Sequence, residues 1–291
     1  MKTIYMTLPR QGFFSFVVRC LVVGITYALA NALAAILLGP LSRQAATLEN
    51  AFVWTLIGTL LCMVFSPFIV RSTWSQTKTV LAVWAALTFV RSLGLGIEGA
   101  LYKPASAEVA LIGALTGTLV GLLVAWMSVT LLRSDDFETS ESGVKHSWWG
   151  WTWRVLVVGL AYLVFYFVFG ATNAFLYTMS FYENNPQYGL MLPPIGVIFM
   201  AELLRGLLFG LGSLLIARSV SLSRRQLALW LGLMLFAVGG LAPYVEITFR
   251  TMPLGFNLAT LTEMLFQNVL TGVVAASLFG AKQVSKLRKE M

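Results

Sequence analysis

The sequence predicts an all-α integral membrane protein: eight transmembrane helices as two parallel four-helix repeats, with both termini in the cytoplasm. Three observations predict it: eight apolar runs of spanning length, a one-sided distribution of Lys and Arg, and a motif that recurs halfway along the chain. Hydrophobic residues are 58% of the 291 and charged residues 11%, against roughly 45–50% and 25% in soluble domains. A soluble fold of this size would lack the charge to cover its surface.

A bilayer core roughly 30 Å thick needs about 20 apolar residues per helix. Eight segments meet that requirement: 18–39, 52–70, 79–98, 108–132, 154–177, 191–217, 226–248 and 257–280. The first could be read as a cleaved signal peptide, since Ala28-Leu29-Ala30 and Ala32-Leu33-Ala34 resemble cleavage sites. Its apolar stretch exceeds an ordinary signal core and an equivalent helix recurs later in the chain, so it is expected to be retained.

The loops then set the orientation. Lys2, Arg10 and Arg19, Arg71 and Lys78, Arg133, Lys145 and Arg154, Arg218, Arg224 and Arg225, and Lys282, Lys286, Arg288 and Lys289 all fall on one side. Arg43, Lys103 and Arg250 fall on the other, fifteen against three. Basic loops stay cytoplasmic, which predicts both termini inside a cell membrane, most simply the inner membrane of a bacterium. The same distribution accounts for the net charge of +8. Short basic loops and a basic tail at Lys282–Lys289 fit the bilayer and its anionic headgroups as partners, and not nucleic acid.

The recurrence is Arg19-Cys-Leu-Val-Val-Gly24-Ile-Thr-Tyr27 against Arg154-Val-Leu-Val-Val-Gly159-Leu-Ala-Tyr162, at an offset of 135. Arg71 with Arg218, Trp84 with Trp230, and Glu98 with Glu246 follow in order at offsets of 146 to 148. The change in offset places about a dozen extra residues in the second half, expected in a loop over Tyr177–Pro194. Four helices per repeat give both halves one orientation, related by an axis along the membrane normal. The chain divides into residues 1–133, a cytoplasmic linker 134–153 and residues 154–291. Ser134-Asp135-Asp136-Phe-Glu138-Thr-Ser-Glu141 makes the linker acidic. Its end, with His146 and Trp148, Trp149, Trp151 and Trp153, reads as an aromatic anchor at the interface.

Ionised side chains cost roughly 2.5–3.5 kcal/mol at a helix centre on insertion scales, so they turn inward and pair. Glu202 and Arg205 lie three apart near the middle of segment six and share a face. Thr260, Glu263, Gln267 and Thr271 form one stripe on segment eight, and Thr88, Arg91 and Glu98 another on segment three. Gly239, Pro243, Glu246 and Arg250 share a face of segment seven, which Pro243 is expected to break or kink. The candidate substrate or proton site is therefore Glu202, Arg205, Glu263, Gln267, Arg91, Glu246 and Glu98, a polar cluster open to the outside and narrowing toward the midplane.

Several classes lack their chemistry. No GxxxxGK[ST] phosphate loop is present, no span carries a histidine, and Cys20 and Cys62 sit in apolar surroundings without a neighbouring base. No metal and no cofactor are expected. Ala201-Glu202-Leu-Leu-Arg205-Gly206 is similar to the glutamate-arginine-glycine motif of CAAX-type intramembrane proteases. That family's paired glutamates and later histidines are missing here, so no roles carry over. The leading expectation is a transporter or permease-like protein in which Glu202 binds a proton or cationic group and Arg205 tunes it. A non-catalytic scaffold with membrane-protein partners is the alternative, for which Gly113, Gly117 and Gly121 supply a small-residue face. A glutamate-dependent intramembrane enzyme is the third.

Overall fold

The structure is a computed structural model that describes residues 12–39, 45–97, 107–133, 147–186, 193–247, 249 and 251–280. Eight of its helices are long and apolar enough to cross a membrane, the architecture of a multi-pass membrane protein. In chain order they are α1 (Phe13–Leu38), α2 (Leu48–Val70), α3 (Gln76–Ile97), α4 (Ala107–Leu132), α5 (Trp148–Asn184), α6 (Ile195–Ser219), α7 (Arg224–Ile247) and α8 (Leu254–Phe279). Each expected span corresponds to one helix. Glu98, Arg250, His146 and the basic tail lie outside the described residues.

The chain runs up and down. Arg19 at the start of α1 donates to the Leu131 carbonyl at the end of α4, and Trp151 of α5 packs on Phe279 of α8. These ends share one face, called here the near face; the C-terminal ends of α1, α3, α5 and α7 lie toward the opposite, far face. Within α1–α4 the main packing pairs are α1 with α2, α3 with α4, α1 with α4, and α2 with α4. Within α5–α8 they are α5 with α6, α7 with α8, α5 with α8, and α6 with α8. The two groups meet chiefly through α3 against α6 and α2 against α7, so α2, α3, α6 and α7 form the centre.

Two close crossings set the depth of the core. A Cβ on Gly24 would strike the Thr55 carbonyl and Thr59 Oγ1, and one on Gly58 would strike the Tyr27 side chain. In the other group a Cβ on Gly206 would sit 2.6 Å from the Gly159 carbonyl and 3.0 Å from the Tyr162 ring. Both α1–α2 and α5–α6 thus need glycine for backbone contact, and each crossing seats a tyrosine beside it.

The near-face loops after α2 and α6 join in an isolated antiparallel bridge, Ser72 with Val220. Thr73 N donates to the Ser219 carbonyl at 2.8 Å, and Ser221 N to the Arg71 carbonyl at 3.4 Å. Buried backbone groups in a membrane must find partners, and here each loop satisfies the other.

Three expectations need correction. The helix is not broken at Pro243: α7 passes through a π-helical stretch at Ala237–Leu241 and continues as α-helix through the proline to Ile247. Widening one turn makes room for a residue that lacks an N–H and crowds the carbonyl four residues back. The proline alone does not place the π turn, because α3 carries one at Thr88–Leu93 without any proline. The loop expected over Tyr177–Pro194 also starts later. α5 continues through a π turn at Ala174–Thr178 to Asn184, because Tyr177 stacks on Phe181 and Phe181 packs on Phe256 of α8. Finally, α5 begins at Trp148, capped by the Ser147 hydroxyl accepting from Gly150 N at 3.2 Å. The four tryptophans are therefore its first two turns and not linker. Trp148 and Trp149 remain exposed, as an interfacial anchor requires.

Pro67 inside α2 causes no interruption. Its missing N–H leaves the Met63 carbonyl without its helical donor, and the Ser66 hydroxyl donates there at 2.7 Å.

Candidate functional site

The charged residues within the spans form separate groups. In the first, the Arg91 guanidinium projects from the π turn of α3. Its Nη2 pairs with Glu246 Oε2 of α7 and also donates to the Tyr27 hydroxyl of α1. Tyr27 in turn lies 3.5 Å from Glu246 Oε1, and Asn31 one turn on donates to the Tyr27 carbonyl at 2.9 Å. The Arg91–Glu246 pair is thus a polar link from the first four helices to the second. Arg91 is 7% exposed. Its Nη1 and the neighbouring Ser92 Oγ are buried and have no hydrogen-bond partner among the described residues.

The second group is on α6. Arg205 Nη1 donates to both oxygens of Glu202 at 3.0 Å, and the Tyr162 hydroxyl of α5 donates to Glu202 Oε2 at 3.1 Å. Arg205 also lies over the rings of Tyr162 and Phe209, each 5.9 Å from its Cζ. Glu202 is fully buried. In a low dielectric the pair neutralises itself and the aromatic rings face the cation.

The third group joins α5 to α8: Asn173 Nδ2 donates to Glu263 Oε2 at 2.6 Å, and Glu263 Oε1 lies against Gly170. Gln267 and Thr271, further along the stripe, are buried; Thr271 donates to the Gln267 carbonyl at 2.7 Å. Of the seven residues expected at one site, the structure pairs Arg91 with Glu246 and Glu202 with Arg205, and it gives Glu263 an asparagine. Glu98 lies outside the described residues. Among those residues, no three His, Cys, Asp or Glu side chains gather as a metal site. Cys20 and Cys62 are buried free thiols in the α1–α2 contact.

A cavity of about 120 Å³ lies among α1, α2, α3 and α4. Its lining runs from Leu38 and Ala110, toward the far face, to Leu61 and Val124 at mid-depth. Tyr27, Asn31, Arg91, Ser92 and Glu246 supply its polar lining with Thr116, and α4 also contributes Gly113, Ala114, Gly117 and Gly121. A Cβ on Gly117 would sit 2.9 Å from Ser92 Oγ, and Gly121 faces Leu87 and Trp84. Gly117 and Gly121 therefore pack on α3 inside the bundle. Trp84 clamps that contact by donating to the Thr118 carbonyl at 2.9 Å.

Sequence reasoning missed Tyr27, Asn31, Ser92, Tyr162 and Asn173 as site residues. For the two tyrosines a signal was present, since they close the recurring motif at its 135-residue offset. The neutral polar residues carried none, because a single Asn or Ser in an apolar run does not show which face it occupies. No family model, curated protein or solved structure matches this chain.

Proposed function

We propose that this chain is a permease-like protein of the cell membrane, with both termini in the cytoplasm and its solute site in the cavity beside Arg91. One observation carries the reading: a cavity reaching mid-depth is lined by the ion-paired Arg91 and Glu246. Ionisable groups in a membrane interior are costly, and this pair borders open space inside the bundle.

The proposal includes two four-helix repeats of like orientation. What supports them is a set of matched elements. α1 and the first stretch of α5 are each 26 residues and begin 135 apart. α4 and α8 are also 26 residues each, beginning 147 apart. Both third helices carry a π turn in their second half. The near-face bridge joins Ser72 to Val220, positions 148 apart, and its two flanking hydrogen bonds exchange places under that same offset. A contact in which each partner mirrors the other is what a two-fold axis through it produces. The continuation of α5 to Asn184 holds the extra residues of the second half. The basic bias of the near face supports the cytoplasmic orientation.

The site centres on Arg91 and Glu246 because they line the cavity, whereas Glu202 is closed off by Arg205 and Tyr162. That closed group favours the competing reading, a scaffold subunit whose intramembrane charges only hold helices together. Flux in proteoliposomes of the full chain separates the two. A panel of small solutes is offered from the far face, and Ala34→Trp, which fills the cavity while leaving every polar side chain of its lining in place, is the control. Flux abolished by Ala34→Trp supports the permease; no flux for any solute, with or without the plug, supports the scaffold.

A further inference from the structure

The two four-helix groups present their arginines to the near face differently. Arg19 and Arg154 both open the recurring motif, 135 residues apart. Arg19 donates to the Leu131 carbonyl at the end of α4. Arg154 turns along its own helix instead. Its Nη1 donates to the Gly150 carbonyl at 2.6 Å, and its Cζ lies over two indoles, 4.8 Å from the centre of Trp153 and 5.8 Å from that of Trp151. Arg218, in the last turn of α6, comes to the same Trp151 ring at 5.3 Å. Phe279 of α8 backs that ring.

Two guanidiniums on one ring repel each other unless an anion lies beside them. The described residues supply none on this face: Glu49, Glu108 and Glu183 stand at far-face helix ends, and Glu202, Glu246 and Glu263 lie within the spans. Arg218 is exposed and Arg154 half-buried, and no Arg154 nitrogen is both sealed and unpartnered. A guanidinium lying over a ring uses its face there and keeps its N–H edge for oxygens. A phosphate oxyanion is the group that fills such edges best.

Depth and apolar surface identify what carries the phosphate. Trp148 and Trp149 are exposed one turn before Arg154, where an aromatic belt meets the headgroups. Trp153, Leu156, Leu160 and Val164 then form one exposed stripe down α5, at spacings of three and four. A phosphate attached to an acyl chain matches both surfaces. Its headgroup must be anionic overall, because a zwitterionic one brings a further cation to a place that already holds two.

We propose that Arg154, Arg218 and Trp151 form a site for the phosphate of an anionic phospholipid in the near-face leaflet, its acyl chain lying along the α5 stripe. Basic pockets between helices bind headgroups in this way. The site lies on the lipid-facing surface, apart from the Arg91–Glu246 cavity, and its occupancy is independent of any solute flux.

The test follows lipid adducts of the full chain in detergent by native mass spectrometry. Phosphatidylglycerol, phosphatidylcholine and inorganic phosphate are added separately. Phosphatidylglycerol is expected to give one saturable adduct, and the other two none. Arg154→Gln/Arg218→Gln should weaken that adduct roughly thirtyfold, the loss of two lipid-facing guanidiniums; an unchanged Tm shows that the variant is folded. Arg224→Gln/Arg225→Gln removes the same charge from exposed residues of the same face and should leave the adduct nearly unchanged. Equal losses in the two double variants would overturn the site, leaving only general surface charge. Phosphatidylcholine binding as tightly would overturn the charge assignment, and an adduct with inorganic phosphate alone would overturn the acyl contact. The linker between α4 and α5 is the competing occupant, since Asp135, Asp136, Glu138 and Glu141 carry charges of the right sign. Phosphatidylglycerol binding only after Asp135→Asn, Asp136→Asn, Glu138→Gln and Glu141→Gln would assign the arginines to the linker and sink the lipid site.

Discussion

Two regions of the bundle solve the same problem, an arginine and a glutamate inside a membrane, in opposite ways. On α6 the pair is local: Glu202 and Arg205 lie one turn apart, Tyr162 caps the carboxylate, and two rings cover the guanidinium. The other pair is long-range. Arg91 reaches from α3 to Glu246 on α7, and both residues line a cavity. A pair three residues apart forms whenever its helix forms. A pair joining two four-helix groups depends on how they dock. The comparison teaches that depth alone does not mark a site: both pairs are buried, and the one that joins the two four-helix groups is the one that lines a cavity.

The most severe test removes one partner from each pair. Arg205→Ala should cost about 3–5 kcal/mol, because it leaves Glu202 charged and sealed from water. Arg91→Ala should cost less, about 1–3 kcal/mol, since Glu246 borders a cavity that can take water. Unfolding in detergent with graded denaturant measures both. Equal losses would end the distinction between a closed and an open pair.

Next come the two glycine crossings. Gly58→Val and Gly206→Val should each destabilise by roughly 1–3 kcal/mol through backbone separation, and by similar amounts if the halves are equivalent. A loss confined to one half would argue against matched repeats.

The tyrosines refine the comparison further. Tyr162→Phe should cost about 1.5–3 kcal/mol, as it removes a hydrogen bond to a carboxylate that has no access to water. Tyr27→Phe should cost about 0.5–1.5 kcal/mol, because cavity water can replace the hydroxyl between Arg91 and Glu246. Similar losses on thermal unfolding would mean that the first cluster is as dry as the second.

The smallest change is Glu263→Gln, which keeps an acceptor for Asn173 and should alter stability by less than about 1 kcal/mol. A larger loss would mean that the carboxylate's charge, and not merely its oxygen, holds α5 to α8.

What could be read from the chain follows from the solvent. A bilayer admits helices of one minimum length and rejects unpaired charge, so the eight spans, their alternation and the inward turn of Arg91, Glu202, Arg205 and Glu246 are local consequences of composition. Glu202 with Arg205 was legible for the same reason, since spacing on one helix is set by helical geometry. The partner of Arg91 was not: Glu246 lies 155 residues away, and nothing in either segment states that α3 and α7 face each other. The π turns were likewise hidden, because an extra residue in a helical turn is set by the helices it must pack between; Thr88–Leu93 has no proline to announce it. The cavity came last. It is the space left where α1, α2, α3 and α4 do not close, a property of all four surfaces together and of none of them alone.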